Sequence, residues 1–190
     1  MIAPHVWPER RYAWYVVAVL TLAYSIAILD RVSISLLIEP LQADLQINDT
    51  QFGLLQGLAF SMFYSLLGLP LGMWCDRSKR VPLLSLGIFL WSAATIGCAL
   101  ADSFEELFFA RMLVGIGEAA LVPCAASRVA DCFDPETRHK SYGTFVTGSS
   151  LGTAAAMALS GLFLITANNI ITDYSWAADM REWQIVFILC

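Results

Sequence analysis

The chain has 190 residues and a formal charge of −5, with 58% hydrophobic and only 14% charged residues, against roughly 25% charged in ordinary soluble domains. Together with a mean hydropathy of +0.65, this excludes a water-solvated globular domain of usual make-up and points to a polytopic membrane protein of the all-α class. No His/Cys metal set, phosphate-binding glycine loop or nucleophilic triad is present, so neither an enzyme, a cofactor nor a nucleic-acid partner is expected.

A helix rises 1.5 Å per residue and the hydrocarbon layer is about 30 Å thick, so about 20 apolar residues are needed to cross it. After a cytoplasmic N-terminal segment, residues 1–13, five stretches meet that length: Trp14–Ile38, Phe52–Trp74, Val81–Leu100, Leu107–Val129 and Tyr142–Ala167. The first is read as a retained span, because no small-residue cleavage site follows it. A sixth apolar run opens at Trp183 and stops at Cys190, which reads as a helix interrupted within the membrane and implies a longer natural product. Residues 14–190 are therefore expected to form five complete helices and the start of a sixth.

Local signals sharpen the boundaries. Asn48-Asp49-Thr50 has the form of a glycosylation sequon, with helix capping by Asp49 or Thr50 the simpler use. Ser103-Phe104-Glu105-Glu106 matches a capping box and starts the fourth helix near Phe104, while Asp134-Pro135-Glu136 ends it around Asp131 to Phe133. Pro70 and Pro123 lie inside apolar stretches and are expected to bend them.

Eight of the eleven basic residues precede the first helix or lie in the 2–3 and 4–5 connections: Arg10, Arg11, Arg77, Lys79, Arg80, Arg128, Arg138 and Lys140. The opposite connections carry Glu39, Asp44, Asp49, Asp102, Glu105, Glu106, Asp173, Asp179 and Glu182 against Arg181 alone. By the positive-inside rule the N-terminus is cytoplasmic. His139 reads as a surface residue of a basic loop. Trp7, Trp14, Tyr15, Trp74, Trp176 and Trp183 fall where interfacial aromatic anchors belong.

Asp30, Arg31, Arg111 and Glu118 stand inside apolar stretches. Because ionisable groups are costly in hydrocarbon, they should face a water-filled cavity or one another. Arg111, Gly115 and Glu118 share a helix face, and Glu118 is the protonation candidate. Asp30 and Arg31 point about 100° apart, which favours contacts with different helices over a mutual pair. The simpler reading is a set of ion pairs that only fixes helix register. Gly148 and Gly152, continued by Ala156, form a GxxxG face for close helix approach, and Gly53, Gly57, Gly68, Gly72, Gly87 and Gly97 suggest further tight interfaces. Cys75, Cys98, Cys124, Cys132 and Cys190 read as apolar packing without metal-ligand spacing.

These residues carry a resemblance. Gly72-Met73-Trp74-Cys75-Asp76-Arg77-Ser78-Lys79-Arg80 resembles the signature loop of the major facilitator superfamily, with Lys79 where many relatives have glycine. Arg111-Met112-Leu113-Val114-Gly115-Ile116-Gly117-Glu118-Ala119 is similar to its fourth-helix motif. Leu29-Asp30-Arg31 with Gly117-Glu118-Ala119 is similar to the Spinster-like branch. The resemblance implies the N-terminal six-helix half of a twelve-helix carrier in the inner membrane, with helix 6 truncated and the C-terminal half of the same carrier as its partner. It implies alternating access by rocking of the halves, a cytoplasmic gate of Gly72, Asp76, Arg77 and Arg80, and a proton-coupling or substrate-facing set of Asp30, Arg31, Arg111 and Glu118. Gly115, Gly117, Gly148 and Gly152 are then packing positions. The substrate implied is a lysolipid or sphingolipid-like molecule, or an organic anion such as a sugar acid, moved with a proton. A non-transporting scaffold or receptor, or a half-size carrier working as a dimer, remains the alternative class.

Overall fold

The computed structural model describes residues 7–173 and 180–189; the expectations for Trp176, Asp179 and Cys190 lie outside them. Among the described residues the chain is helical throughout: α1 (Arg10–Leu36), α2 (Ile38–Leu45), α3 (Asp49–Gly53), a π-helical segment (Leu54–Ala59), α4 (Phe60–Arg77), α5 (Arg80–Ala99), α6 (Phe104–Glu118), α7 (Leu121–Cys132), α8 (Arg138–Asp173) and α9 (Glu182–Leu189). Four continuous spans are long and apolar enough to cross a membrane: α1, residues 49–77, α5, and residues 104–132. A fifth is formed if the two parts of α8, Arg138–Leu159 and Gly161–Asp173, which meet at 51°, count as one. The protein is an integral membrane protein of all-α, polytopic architecture. At eight residues, α9 is too short to cross.

The helices overrun the apolar stretches at most ends, with polar residues continuing the first and last turns. The first stretch differs: α1 stops at Leu36, and a separate α2 follows. Pro40 is the reason. A proline amide cannot donate to the carbonyl four residues back, so the ladder is interrupted at Leu36, and Pro40 becomes the third residue of a new helix. Pro82 in α5 and Pro123 in α7 hold the same third position, where the amide has no intrahelical acceptor in any case. Pro123 thus divides the fourth span into α6 and α7 directly after Glu118, whereas Pro70 sits within a continuous α4.

The caps follow sequence chemistry with two corrections. Asn48, not Asp49 or Thr50, caps α3: its side chain accepts from the Gln51 amide at 2.9 Å while Gln51 Oε1 accepts from the Asn48 amide at 3.0 Å. Ser103 accepts from the Glu106 amide at 3.3 Å, but the Glu106 carboxylate reaches past the cap to the Asp102 amide at 2.8 Å.

Packing is organised by two close helix pairs. Against α8, α1 approaches so near that a Cβ on Gly148 would stand 2.7 Å from the Thr21 carbonyl oxygen, and one on Gly152 would overlap the Ser25 carbonyl. Between α5 and α6, a Cβ on Gly117 would lie 2.6 Å from the Trp91 nitrogen and 2.8 Å from the Gly87 oxygen. Gly53, Gly57 and Gly68, by contrast, have open space beside them among the described residues, so they form no tight interface there. The main core gathers Ala27, Ile34, Leu37, Phe60, Trp91, Leu107, Val114 and Trp183, and a second at the opposite end gathers Val17, Leu20, Val129, Phe133 and Phe145. Trp183 is fully buried, its indole nitrogen donating to Asp44 Oδ2 at 2.8 Å. It ties α9 to α2 and is not an interfacial anchor, whereas Trp14, Tyr15 and Trp74 are exposed.

Candidate functional site: a double ion pair between the first and fourth spans

The four ionisable residues of the apolar stretches meet in the middle of the bundle. Arg31 Nη2 donates to Glu118 Oε2 at 2.5 Å, and Arg111 Nη1 donates to Asp30 Oδ2 at 3.3 Å. Asp30 and Arg31 do not pair with each other. Both reach α6, however, where the expectation was different helices; Arg111 and Glu118 lie two turns apart, about 10 Å along the helix, and the long arginine side chains span that offset. Gly115, between them in the chain, faces α4 instead: a Cβ there would stand 2.7 Å from the Phe60 carbonyl oxygen, so it lets α4 pack close to α6 beside the ion pairs.

The two pairs differ in setting. Asp30, Arg111 and Glu118 are 1–2% exposed, but the Arg31 side chain is 33% exposed. Its guanidinium lies 4.2 Å from the centre of the Phe60 ring and 4.9 Å from that of Tyr64, a geometry in which the ring quadrupole attracts the cation. Phe60 and Tyr64 are one turn apart on α4 and stack on each other, and the π-helical segment ends immediately before Phe60. Arg111 lies 4.7 Å from the ring centre of Phe187 on α9. Asp30 Oδ1 and Glu118 Oε1 have no hydrogen-bond partner among the described residues, so each carboxylate keeps an oxygen open. One half-exposed cation therefore bridges an aromatic pair and a buried carboxylate. Such an arrangement can hold an anion at the cation and a proton at the acid.

A second polar cluster forms at the end of the bundle that carries the basic connections. Arg80 Nε donates to Ser127 Oγ at 2.7 Å and Ser127 Oγ donates to Asp76 Oδ1 at 3.0 Å, while Arg80 Nη1 pairs with Asp131. Arg128 joins it through Asp131 at 3.9 Å and donates to the Tyr12 hydroxyl at 3.1 Å. The start of α1, the end of α4, the start of α5 and the end of α7 are thus linked. Arg77 lies outside this network, exposed beside it, and Gly72 faces Pro123 at ordinary contact distance. Ser127, Asp131 and Tyr12 escape sequence reading. Only the recurrence of Ser127 and Asp131 on one face of α7 hints at them, and nothing local shows that this face meets Arg80. Phe60, Tyr64 and Phe187 escape it too, because aromatic residues in an apolar stretch carry no mark of the cation they cover.

The profile of the Major Facilitator Superfamily matches residues 20–190. The chain belongs to this family of membrane transporters. Among its relatives, an MFS-type efflux pump of Mycolicibacterium smegmatis is 31% identical over 80% of this chain and 35% of its own length. The sphingosine-1-phosphate transporter SPNS2 of Mus musculus is 32% identical over 84% of this chain and 29% of its own. A crystal structure of a bacterial homologue of the human lysosomal transporter Spinster, inward-facing and unoccupied, superposes with a TM-score of 0.85 at 32% identity, covering 96% of this chain and 40% of that one. The chain thus resembles the Spinster branch and spans about a third of the length of the curated relatives it matches.

Proposed function

We propose that this chain forms the N-terminal six-helix half, with α9 the opening of the sixth helix, of a secondary active carrier. The carrier moves a small amphipathic or anionic solute, a lysolipid or sphingolipid-like molecule foremost, by alternating access coupled to protons. One observation carries the reading: Arg31, half-exposed and flanked by Phe60 and Tyr64, is held by the buried carboxylate of Glu118. A substrate anion and Glu118 then compete for one guanidinium. When the anion takes Arg31, the carboxylate is left facing a low-dielectric interior and is neutralised by a proton instead; when the proton leaves, Glu118 reclaims Arg31 and the anion is released. The fully buried Asp30–Arg111 pair is the fixed part of the site, holding α1 to α6 while the other pair exchanges. Apolar walls beside the cation suit a lipid-like anion, and the relative named for sphingosine-1-phosphate transport supports that class.

In this reading the N-terminus is cytoplasmic, the membrane is the cell inner membrane, and the Asp76–Ser127–Arg80–Asp131 cluster latches the cytoplasmic side. Reconstitution of the full-length protein into liposomes under an imposed pH gradient tests it. Glu118→Gln is expected to abolish gradient-driven uptake of a lysophospholipid or sphingoid phosphate while leaving the protein folded and substrate bound through Arg31. Unchanged gradient-driven flux in that variant removes the coupling role, and absence of any flux in the parent protein leaves the scaffold or receptor class.

A further inference from the structure

At the end of the bundle where the chain enters α1, a cavity of about 320 Å³ lies between the N-terminal segment and the α7–α8 turn. Its wall combines Arg10 and Lys140 with Trp7, Trp14, Phe133 and Asp134. Neither Arg10 nor Lys140 makes an ion pair among the described residues, although the nearby arginines are engaged: Arg128 with Tyr12 and Asp131, and Arg138 with the Ala130 carbonyl at 3.0 Å. Asp134, the one acid of the wall, keeps its negative charge, held ionised by the hydrogen bonds it accepts, but is outnumbered by the two cations and directs its oxygens into the turn. Its Oδ1 accepts from the Glu136 and Thr137 amides at 2.9 Å each, and its Oδ2 from the Thr137 hydroxyl at 2.9 Å, so its lone pairs serve the turn that starts α8. The two cations are left facing a space of the size that small-molecule sites occupy, about 300–1,000 Å³.

The apolar part of the wall fixes the depth. Trp14 packs edge-on against Phe133 with ring centres 5.4 Å apart, at the first turn of a span, where tryptophan marks the headgroup layer. We propose that this cavity binds the headgroup of an anionic phospholipid, the phosphate bridged by Arg10 and Lys140 and the first acyl carbons lying along Trp14 and Phe133. The site is separate from the α1–α6 ion pairs and independent of what the carrier moves. A basic pocket between membrane helices at the charged end is the form such lipid sites take. It differs from the diffuse attraction of the other basic residues in being a discrete place with a fixed stoichiometry.

Native mass spectrometry of the full-length protein released from nanodiscs of equal phosphatidylcholine and phosphatidylglycerol tests it. The parent should retain phosphatidylglycerol in preference, as one tightly held molecule at this end. The Arg10→Gln/Lys140→Gln variant should retain roughly tenfold less of it, with phosphatidylcholine retention and thermal midpoint in pure phosphatidylcholine unchanged. Arg11→Gln, off the cavity, should behave as the parent. Equal retention in the double variant, or an equal loss in Arg11→Gln, overturns the proposal in favour of a diffuse field. Displacement of the lipid by millimolar inorganic phosphate overturns the lipid assignment and leaves a free-anion site. Should the double variant not fold, the single variants decide, each with a smaller loss of the same sign.

Discussion

Asp30 and Arg31 are neighbours in the chain and opposites in role. Asp30 is sealed against Arg111, whereas Arg31 keeps a third of its side chain open and shares its charge among Glu118, Phe60 and Tyr64. A buried charge stripped of its partner is costly, about 3–5 kcal/mol. Asp30→Ala leaves Arg111 buried and charged, since a guanidinium does not shed its proton, whereas Arg31→Ala leaves Glu118, a carboxylate that can take up a proton and escape most of that cost. Asp30→Ala should therefore lower the thermal midpoint in detergent well beyond Arg31→Ala. Adding Arg111→Ala to Asp30→Ala should cost less than the sum of the two, since the orphaned charge is removed with it. A midpoint for Asp30→Ala at or above that of Arg31→Ala would refute the division of roles. Sequence reading finds these residues because a charge in an apolar stretch stands out. It cannot pair them, because pairing depends on how far two helices are rotated and slid against each other.

At the level of helices, two residue types decide where elements stop and how near they come. Pro40, Pro82 and Pro123 each occupy the third position of a helix, the one place where a missing amide costs nothing, and two of them create breaks that hydropathy alone does not register. Glycines divide by partner. Gly117 faces backbone at 2.6 Å, so even Gly117→Ala must push α5 from α6, with an expected loss of about 1–3 kcal/mol. Gly53 faces open space, so Gly53→Ala should be neutral or stabilise by up to about 1 kcal/mol through helix propensity. Melting curves of the two variants in the same detergent check the contrast, and equal shifts would show that the α5–α6 contact is not set by Gly117. Both residues look alike in sequence, since a glycine in an apolar stretch does not announce what lies beside it.

For the whole molecule, the alternation of basic and acidic connections predicts a single orientation. His139, which lies in the first turn of α8 and not in a loop, and Asp102, in the α5–α6 connection, are both exposed and stand at opposite ends. Introduced singly as cysteines, His139→Cys should react with a membrane-impermeant maleimide only from the cytoplasmic side, and Asp102→Cys only from the other. The native Cys75, Cys98, Cys124 and Cys132 are buried and should contribute little background. Labelling of both from one side would break the span count. The end that carries the acidic connections is further tied by Trp183 to Asp44 and by Gln184 Nε2 to the Ala101 carbonyl at 3.2 Å, and the opposite end by the Arg80–Ser127–Asp76 chain. The bundle is therefore braced at both ends with the two arginine–carboxylate pairs between them, which is the rigidity that the proposed rocking carrier requires.

The sequence by itself determined which stretches enter the membrane, which connections share a side, and which side chains are too costly to be there without a purpose. Each of these depends on local composition and on the free energy of moving a residue from water to lipid. Only the tertiary structure decided that both arginine–carboxylate pairs join α1 to α6, that Phe60 and Tyr64 cover Arg31, that Trp183 is a buried strut, and that Arg10 and Lys140 face one cavity. These depend on helix rotation, offset and crossing. Those are set by contacts between residues distant in the chain, such as Gly148 against Thr21 and Gly117 against Trp91, for which one-dimensional spacing holds no measure.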